Sequence, residues 1–173
     1  REYVEAARIL RSSGRTAAFV LVGDLDVNPS SITKEELDSW KRDGLINYAG
    51  RAEDVRTFYR NCHVYVLPSY REGMPRTVLE AMAAGRPVIT TDAPGCRETI
   101  REPVGGWRET TEPNTWDLKV GRNGILTPAR NADALARAME FFLDCPQQIP
   151  ALGAESRFYA EERYDVDKVN AAI

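Results

Sequence analysis

The sequence predicts an α/β domain with a Rossmann-like parallel sheet and helices on both faces. Three observations predict this fold. Short continuous apolar runs, which are typical of strands buried on both faces, recur along the chain. Segments with apolar residues at helical spacing separate these runs. No hairpin signal joins one run to the next, so the strands are expected to be parallel and connected through helices.

Five apolar runs are predicted as strands, because each is short and stops at a residue that favours a turn. In chain order they lie at residues 17–22, 45–48, 63–67, 88–91 and 124–127. The last run is the weakest of the five. In a parallel sheet, ligands bind outside the carboxyl ends of the strands, so the segments that follow the strands are the first places to look for a site. These segments are at Gly23, Gly50, 68–75 and 92–95.

Seven segments are predicted as helices from their apolar stripes and their end signals. In chain order they lie at residues 3–10, 33–42, 55–62, 77–84, 96–101, 131–143 and 149–163. Thr33 and Glu36 have the spacing of a capping box at the second helix, and Asn131 can cap the sixth. Gly85, followed by Pro87, ends the fourth. Residues 102–123 show no clean period and are predicted as a long loop.

Composition excludes several classes of protein. With 43% hydrophobic and 28% charged residues, the 173-residue chain is predicted to be one globular domain rather than disordered or collagenous. A net charge of −3 gives no reason to expect a nucleic-acid partner. One histidine, His63, excludes any site that needs two His ligands, and no metal is expected. No apolar run reaches the roughly 20 residues of a membrane span.

The cysteine pattern points to a reducing compartment. The three cysteines are far apart and form no C-x-x-C pair, so neither a zinc ribbon nor a thioredoxin-type site is indicated. We expect reduced, half-buried thiols in a cytoplasmic protein. They are Cys62, Cys96 and Cys145.

Two carboxylates flank the start of the fourth predicted helix. Glu72 lies on the preceding loop, and Glu80 lies just over one turn inside a helix that begins near Arg76. The free N–H groups and the dipole of the first turn favour a phosphate there, and carboxylates accept hydrogen bonds from sugar hydroxyls. Gly73 has no Cβ, so backbone can approach a ligand closely. The residues therefore predict a site for a phosphate and polyhydroxylated groups.

Around these acids the chain resembles the donor-binding half of GT-B-fold retaining glycosyltransferases of the large group-one (family four) class. Glu72 and Glu80 match the E-x7-E element of that family. The likeness covers nearly the whole chain, and its contiguous order makes it specific. Similar segments lie at residues 63–64, 68–69, 72–75, 79–83, 85–89, 91–95 and 123–126.

The resemblance implies roles for the loop and the helix start. Glu72 is implied as the key catalytic residue, which contacts hydroxyls of the donor sugar as a positioning and electrostatic group and not as a nucleophile. Thr77 and Val78 are implied to hold the diphosphate through their amides. Three neighbouring residues are implied to line the sugar pocket. They are Gly73, Met74 and Pro75.

The resemblance also implies a nucleoside site. Glu80 is implied to hydrogen-bond the ribose, and Gly50 and Arg51 to border the base. Gly23, after the first strand, is implied to leave room for the nucleotide.

For the whole protein, the resemblance implies a retaining hexosyltransferase that needs neither metal nor cofactor. It would transfer a sugar from a nucleotide-diphosphate sugar, with a UDP-sugar preferred, to an acceptor glycan or lipid-linked sugar. Bacterial polysaccharide, lipopolysaccharide or glycolipid synthesis is the expected process, in the cytoplasm or peripherally at the inner membrane face.

The resemblance also suggests that residues 1–173 are one part of that enzyme. An acceptor domain and the first strand of the donor half, with the Arg and Lys that neutralise the diphosphate, are expected upstream of Arg1, and the last helix is expected to continue beyond Ile173. This fragment by itself is therefore expected to bind more readily than it catalyses.

Three other functions remain open from the sequence. The first is a nucleotide-sugar-binding module without catalytic activity. The second is a sugar-nucleotide epimerase of the same architecture, which would need further acids and a cleft histidine, whereas only His63 is present. The third is a flavodoxin-like or receiver domain that acts in signalling. It would have Asp24 at the first strand end, but no matching Lys ends the last strand.

Overall fold

The structure is a computed structural model that describes residues 1–26, 28, 31–107 and 118–165. Within these ranges strands and helices alternate along most of the chain. The strands are β1 (Val20–Val22), β2 (Asn47–Gly50), β3 (Tyr65–Leu67), β4 (Val88–Thr91), β5 (Lys119–Val120) and β6 (Gly124–Thr127). The helices are α1 (Glu2–Ser12), α2 (Lys34–Arg42), α3 (Arg56–Asn61), α4 (Arg76–Ala83), α5 (Ala132–Asp144) and α6 (Gln148–Arg163), and Arg97–Thr99 forms a short 3-10 turn.

The central sheet has the order β3-β4-β6-β5, and its first three strands are parallel. Strand β1 pairs with β2, also in parallel, as a separate two-stranded sheet. Helix α2 connects β1 to β2, and helix α4 connects β3 to β4, as crossover geometry requires. The predicted α/β architecture with parallel strands is confirmed.

The expectation that no hairpin occurs is wrong. Strand β5 pairs antiparallel with β6, with Lys119 opposite Leu126 and Val120 opposite Ile125. The amide of Gly121 closes the turn by donating to the Gly124 carbonyl at 2.8 Å. The three-residue connection between β5 and β6 contains glycine, which is typical of a hairpin. Strand β5, with two residues, is too short to show the alternation of apolar and polar residues that predicts a strand.

Helices cover both faces of the central sheet, because neighbouring residues of one strand point to opposite sides. Ile89 of β4 and Ile125 of β6 pack in one cluster with α1 and α5. Val88 and Leu126, one position away, pack in a second cluster with α4 and with Ala160 of α6. All eight residues of β4 and β6 are buried, as the two-sided covering requires.

The β1–β2 sheet has a core of its own. Leu37 and Trp40 of α2 pack with Val4 of α1 and with Leu45 and Ile46, which directly precede β2. Helix α2 begins with the predicted capping box, in which the Glu36 amide donates to the Thr33 hydroxyl and the Thr33 amide donates to the Glu36 carboxylate. Helix α1 thus contacts both cores and connects the two sheets.

Among the described residues, no further strand pairs with the outer edges of β1 and β3. The Phe19 carbonyl accepts from the Asn47 amide, so it faces β2. Successive residues of a strand in a parallel ladder direct their amides and carbonyls to alternate sides, so those of Val20 face away from β2. The hydroxyl of Tyr3 donates to the outward Val20 carbonyl at 3.2 Å. On β3, Tyr65 donates to the Pro87 carbonyl on the β4 side, so Val66 faces outward.

We predict that a parallel strand supplied by residues upstream of Arg1 fits between β1 and β3. An exposed strand edge carries backbone amides and carbonyls without strand partners, and the added strand would pair with these groups on both β1 and β3. In a longer chain that carries such a strand, amide hydrogen exchange at Val22 and Val66 is expected to be about 100-fold slower than in residues 1–173 alone. Equal exchange rates in the two chains would show that the edges stay open.

Gly153 of α6 is predicted to be irreplaceable at the contact with the end of α4. A Cβ at this position would lie 2.4 Å from the Gly85 carbonyl oxygen. Gly→Ala inside a helix normally adds up to about 1 kcal/mol of stability. Here, overpacking should reverse that sign, and Gly153→Ala is expected to lower the free energy of unfolding by about 1–2 kcal/mol in urea denaturation. A stabilised variant would contradict this contact.

Candidate functional site

A cleft of about 410 Å³ opens between the carboxyl ends of β1 and β3. Residues 21–26 form one wall, Pro68–Tyr70 the other, and Tyr48 also lines it. The amino end of α1, with Arg1 and Glu2, closes one side. The cleft lies where open α/β sheets bind their ligands, and it contains Gly23 of the predicted site.

The predicted nucleoside-side residues lie together at the ends of β1 and β2. The Gly23 amide donates to the Gly50 carbonyl at 2.9 Å, and the Tyr48 hydroxyl donates to the Gly23 carbonyl at 2.7 Å. Arg51 lies 4.0 Å from Asp24, and 82% of its side chain is exposed. An ion pair this exposed contributes little stability, so the Arg51 side chain can move toward a ligand.

The start of α4 presents backbone donors. Pro75 occupies the N-cap position, and no side chain caps the helix. The Pro75 carbonyl accepts from the Val78 and Leu79 amides at 3.0 and 3.2 Å. The amides of Arg76 and Thr77 precede these and have no acceptor inside a helix. Of the two amides implied to hold a diphosphate, that of Thr77 is therefore the better placed, because that of Val78 already has a partner.

The sugar-pocket residues of the loop differ in exposure. Gly73 and Met74 are exposed, with 45% of Met74 accessible, whereas Pro75 is buried at the helix start. Gly73 and Met74 can therefore contact a ligand at this edge. Pro75 fixes the entry into the helix.

Glu72 is held by its neighbours. The Ser69 hydroxyl donates to Oε1 of Glu72 at 2.6 Å, and the Glu72 amide donates to the Pro94 carbonyl at 3.3 Å. Gly95, with φ of +81°, lies against the same backbone, and a Cβ there would be 2.2 Å from the Glu72 carbonyl oxygen. Sequence reasoning missed the role of Ser69, although its spacing of three residues from an acid on a turn is a possible signal.

Glu80 also has a hydroxyl partner. Tyr59 of α3 donates to Oε2 of Glu80 at 2.9 Å, and its ring meets that of Tyr65 edge to face at 5.7 Å. Burial, together with the hydrogen bond to the Glu80 carboxylate, raises the pKa of Tyr59, so the hydroxyl stays a donor. The sequence suggested Tyr59 only as part of an apolar stripe, which indicates where the ring packs and not what the hydroxyl reaches.

The Tyr65 hydroxyl is influenced by the charges of both acids. Burial raises the pKa of this hydroxyl; the Thr77 side chain hydrogen-bonds it, and the charges of Glu80 and Glu72 raise its pKa further. The charges of both acids therefore act on one hydroxyl near the beginning of α4. That one ligand contacts both acids at this helix end stays a prediction.

An ion-pair cluster lies at the end of β4. Asp92 accepts from Lys119 at 2.6 Å and from Arg97 at 2.9 Å, and its amide donates to the Thr127 carbonyl at the end of β6. Partial burial alone would raise the pKa of the Asp92 carboxyl. The hydrogen bond and charge of Lys119, with the charge of Arg97, hold this pKa below its ordinary value.

The described residues supply few other candidate sites. In residues 1–26, 28, 31–107 and 118–165, no three or more His, Cys, Asp or Glu side chains group as metal ligands would. The three cysteines are free thiols; Cys96 is buried, and Cys62 and Cys145 are half-buried as predicted. His63 is exposed and precedes β3 instead of starting a buried strand. None of the helices described is long and apolar enough to cross a membrane.

Comparison with known proteins identifies the family. Residues 2–145 match the family model of glycosyl transferases group 1. The chain belongs to this family. The resemblance inferred from Glu72, Glu80 and the surrounding segments is thereby confirmed.

Curated members of the family are similar over parts of their length. An N,N'-diacetylbacillosaminyl-diphospho-undecaprenol alpha-1,3-N-acetylgalactosaminyltransferase of Campylobacter jejuni is 40% identical over 121 residues, which are 69% of this chain and 30% of that protein. A putative glycosyltransferase of Bacillus subtilis, EpsD, is 28% identical over 91% of this chain and 36% of its own length. The chain spans about a third of these two relatives.

Solved structures share the fold. The structure of Anabaena HepE in complex with UDP and glucose aligns with 99% of this chain, and the alignment covers 42% of the HepE chain. The TM-score is 0.74 and the sequence identity is 20%. A sucrose-phosphate synthase from Thermosynechococcus elongatus aligns with 98% of this chain, and the alignment covers 40% of the synthase chain. The TM-score is 0.73 and the sequence identity is 22%. These matches confirm the predicted fold class, that of the GT-B glycosyltransferases.

Asp92→Asn is predicted to destabilise the protein in a pH-dependent way. Because folding lowers the pKa of Asp92, its carboxylate stabilises the fold above the ordinary Asp pKa of about 4, and this contribution is lost as pH falls through the folded-state value. We expect a loss of about 1 kcal/mol at pH 7, measured by urea denaturation. The difference in the free energy of unfolding between Asp92→Asn and the unaltered protein should become smaller below about pH 4. Asp38→Asn, in an exposed pair with Lys41, serves as the control and should change little.

Proposed function

We propose that this chain is the nucleotide-sugar-binding part of a retaining glycosyltransferase, a hexosyltransferase. The observation that carries the proposal is the start of α4, whose amides no side chain caps, with Glu72 on the loop before it and Glu80 one turn inside the helix. Anionic oxygens of a diphosphate suit the amides, and hydroxyls on either side of it suit the two acids. Membership of the glycosyl transferases group 1 family supports the same assignment.

The proposed donor is a nucleoside diphosphate sugar, and a UDP-sugar is preferred. Glu80 would bind the ribose and Glu72 the sugar, with Gly73, Met74 and Pro75 around it. Gly23, Gly50 and Arg51 would border the nucleoside. The Anabaena HepE structure, which matches this fold, is in complex with UDP and glucose, and this supports the choice.

In the proposed reaction the bond between the anomeric carbon and the diphosphate oxygen breaks, and the acceptor hydroxyl forms a bond to that carbon on the same face, with retention. The proton of the acceptor hydroxyl passes to the leaving diphosphate. Positive charge develops on the sugar and negative charge on the leaving diphosphate. The first-turn amides of α4, with that of Thr77 foremost and that of Val78 behind it, would stabilise the leaving group. Glu72 would orient the sugar and offset its positive charge. Neither a metal nor a cofactor takes part in this proposal.

The proposed acceptor is a glycan or a lipid-linked sugar, bound by a domain outside this chain. The Campylobacter jejuni relative acts, by its name, on a diphospho-undecaprenol-linked sugar. We therefore propose bacterial polysaccharide, lipopolysaccharide or glycolipid synthesis, in the cytoplasm and peripherally at the inner membrane face.

Glu80→Gln is predicted to weaken nucleotide binding by the full-length protein. Loss of a charged acceptor for the ribose hydroxyls should raise the Kd for UDP about 10-fold or more in calorimetry. Glu35→Gln, on the exposed first turn of α2, is the matched control and should leave the Kd unchanged. Unchanged binding in Glu80→Gln, or no binding of UDP by the unaltered protein, would overturn the proposal.

Glu72→Gln is predicted to impair transfer while binding of UDP persists. A panel of UDP-, GDP- and ADP-sugars first identifies the donor, and NMR of the product reports the anomeric configuration. With the best donor, kcat is expected to fall about 100-fold, because the positive charge that develops on the sugar in the transition state loses its carboxylate partner. EDTA should leave the rate of the unaltered protein unchanged. An inverted product, loss of activity in EDTA, or epimerisation of the free donor without transfer would contradict the proposed reaction.

A further inference from the structure

We propose that Ser69 is a positioning residue for Glu72, and that β4 fixes Ser69 through Thr91. This inference rests on the proposed function and concerns the same site. The contacts run in one direction, from a buried strand to a loop backbone, from that backbone to a hydroxyl, and from the hydroxyl to a carboxylate. Each contact removes one source of freedom from the carboxylate.

The contact nearest the ligand is the bond from Ser69 to Glu72. The Ser69 oxygen lies 2.6 Å from Oε1 of Glu72 and 3.4 Å from the Arg71 carbonyl. A hydroxyl has one proton to donate, and the shorter, charge-assisted bond is the stronger one. Ser69 therefore donates to Glu72.

This bond divides the two oxygens of the Glu72 carboxylate between protein and ligand. Oε1 has the Ser69 hydroxyl as its partner. In the described part of the chain, no hydrogen bond to Oε2 of Glu72 occurs. The Glu72 side chain is only half-buried, so Oε2 can accept from a sugar hydroxyl. With one oxygen held, the carboxylate loses the rotational freedom that it would otherwise lose on binding.

The next contact fixes the backbone of Ser69. The Thr91 hydroxyl donates to the Ser69 carbonyl, and the Thr90 hydroxyl donates to the Leu67 carbonyl at 2.8 Å. Thr90 and Thr91 are buried, with 0% and 1% of their surface exposed. Side chains enclosed in this way hold one rotamer, so the loop after β3 is fixed relative to β4 at two successive points.

Gly95 fixes the other end of the loop. A Cβ on Gly95 would lie 2.2 Å from the Glu72 carbonyl oxygen and 2.6 Å from that of Gly73. Only a residue without a side chain allows the turn after β4 to lie this close. The backbone of Glu72 thus rests against this turn, while Ser69 orients its carboxylate.

A purely structural role for Ser69 would have different consequences. If Ser69 only closed the turn, its loss would lower stability and would affect nucleotide and sugar binding alike. If Ser69 positions Glu72, its loss acts where Glu72 acts, on the sugar and the transition state. Binding of UDP alone, which lacks the sugar, separates the two.

The experiment compares Ser69→Ala, Ser69→Cys and Ser69→Thr in the full-length protein. The readouts are Tm, the Kd for UDP, the Kd for the best sugar nucleotide of the panel, and kcat. Cysteine keeps the size of serine but is a weak donor, and threonine keeps the hydroxyl. Ser156→Ala is the matched control, because the buried Ser156 hydroxyl donates to the Asn123 carbonyl and not to a residue of the loop.

We expect Ser69→Ala and Ser69→Cys to lower kcat about 10-fold and to reduce the extra affinity that the sugar adds over UDP. The Kd for UDP should stay within about 2-fold. Ser69→Thr should restore kcat, and Ser156→Ala should lower Tm without changing kcat. An unchanged kcat in both Ser69→Ala and Ser69→Cys would overturn the inference. So would a parallel fall in Tm, UDP affinity and kcat. If UDP fails to bind the unaltered protein, the proposed function fails first, and the inference with it.

Discussion

Hydrogen bonds from the Thr90 and Thr91 hydroxyls to the carbonyls of Leu67 and Ser69 fasten the end of β3 to β4. These bonds extend the parallel pairing of the two strands beyond its last backbone contact, into the loop that carries Glu72. Because β4 is buried on both faces, it is a firm support for a loop at the sheet edge. The positions of Ser69 and Glu72 follow from this attachment.

The start of α4 depends on the same support. Its first turn has no side-chain cap, and Pro75 leads directly from the fastened loop into the helix. An uncapped helix end costs stability unless water or a ligand satisfies its amides. The neighbouring Tyr59 and Tyr65 hydroxyls hold the site's polar side chains, Glu80 and Thr77, without occupying those amides. The arrangement is consistent with a surface shaped to receive an anion.

The division of the sheet sets a second constraint on the site. The β1–β2 corner, which holds Gly23, Gly50 and Arg51, belongs to one sheet, and the loop of Glu72 belongs to the other. Among the described elements, α1 packs against both cores, and its amino end, with Arg1 and Glu2, lines one side of the cleft between the sheets. The distance between the nucleoside and sugar parts of the proposed site thus depends on how firmly the two sheets are held.

The sequence by itself determined most of the order of the strands and helices and the parallel pairing of the strands, because apolar periodicity and the residues that end each element are local features. The sequence predicted a helix at residues 96–101, where only the 3-10 turn Arg97–Thr99 forms. It missed the β5–β6 hairpin, since a two-residue strand shows no period. Only the tertiary structure showed that Ser69 and Tyr59 hold the two acids, that Thr91 supports Ser69, and that Gly95 allows the loop to lie close. Each of these contacts joins segments that lie apart in the chain or depends on the direction of one hydroxyl. The chain's periodicity carries neither kind of information, and packing of the folded strands decides both.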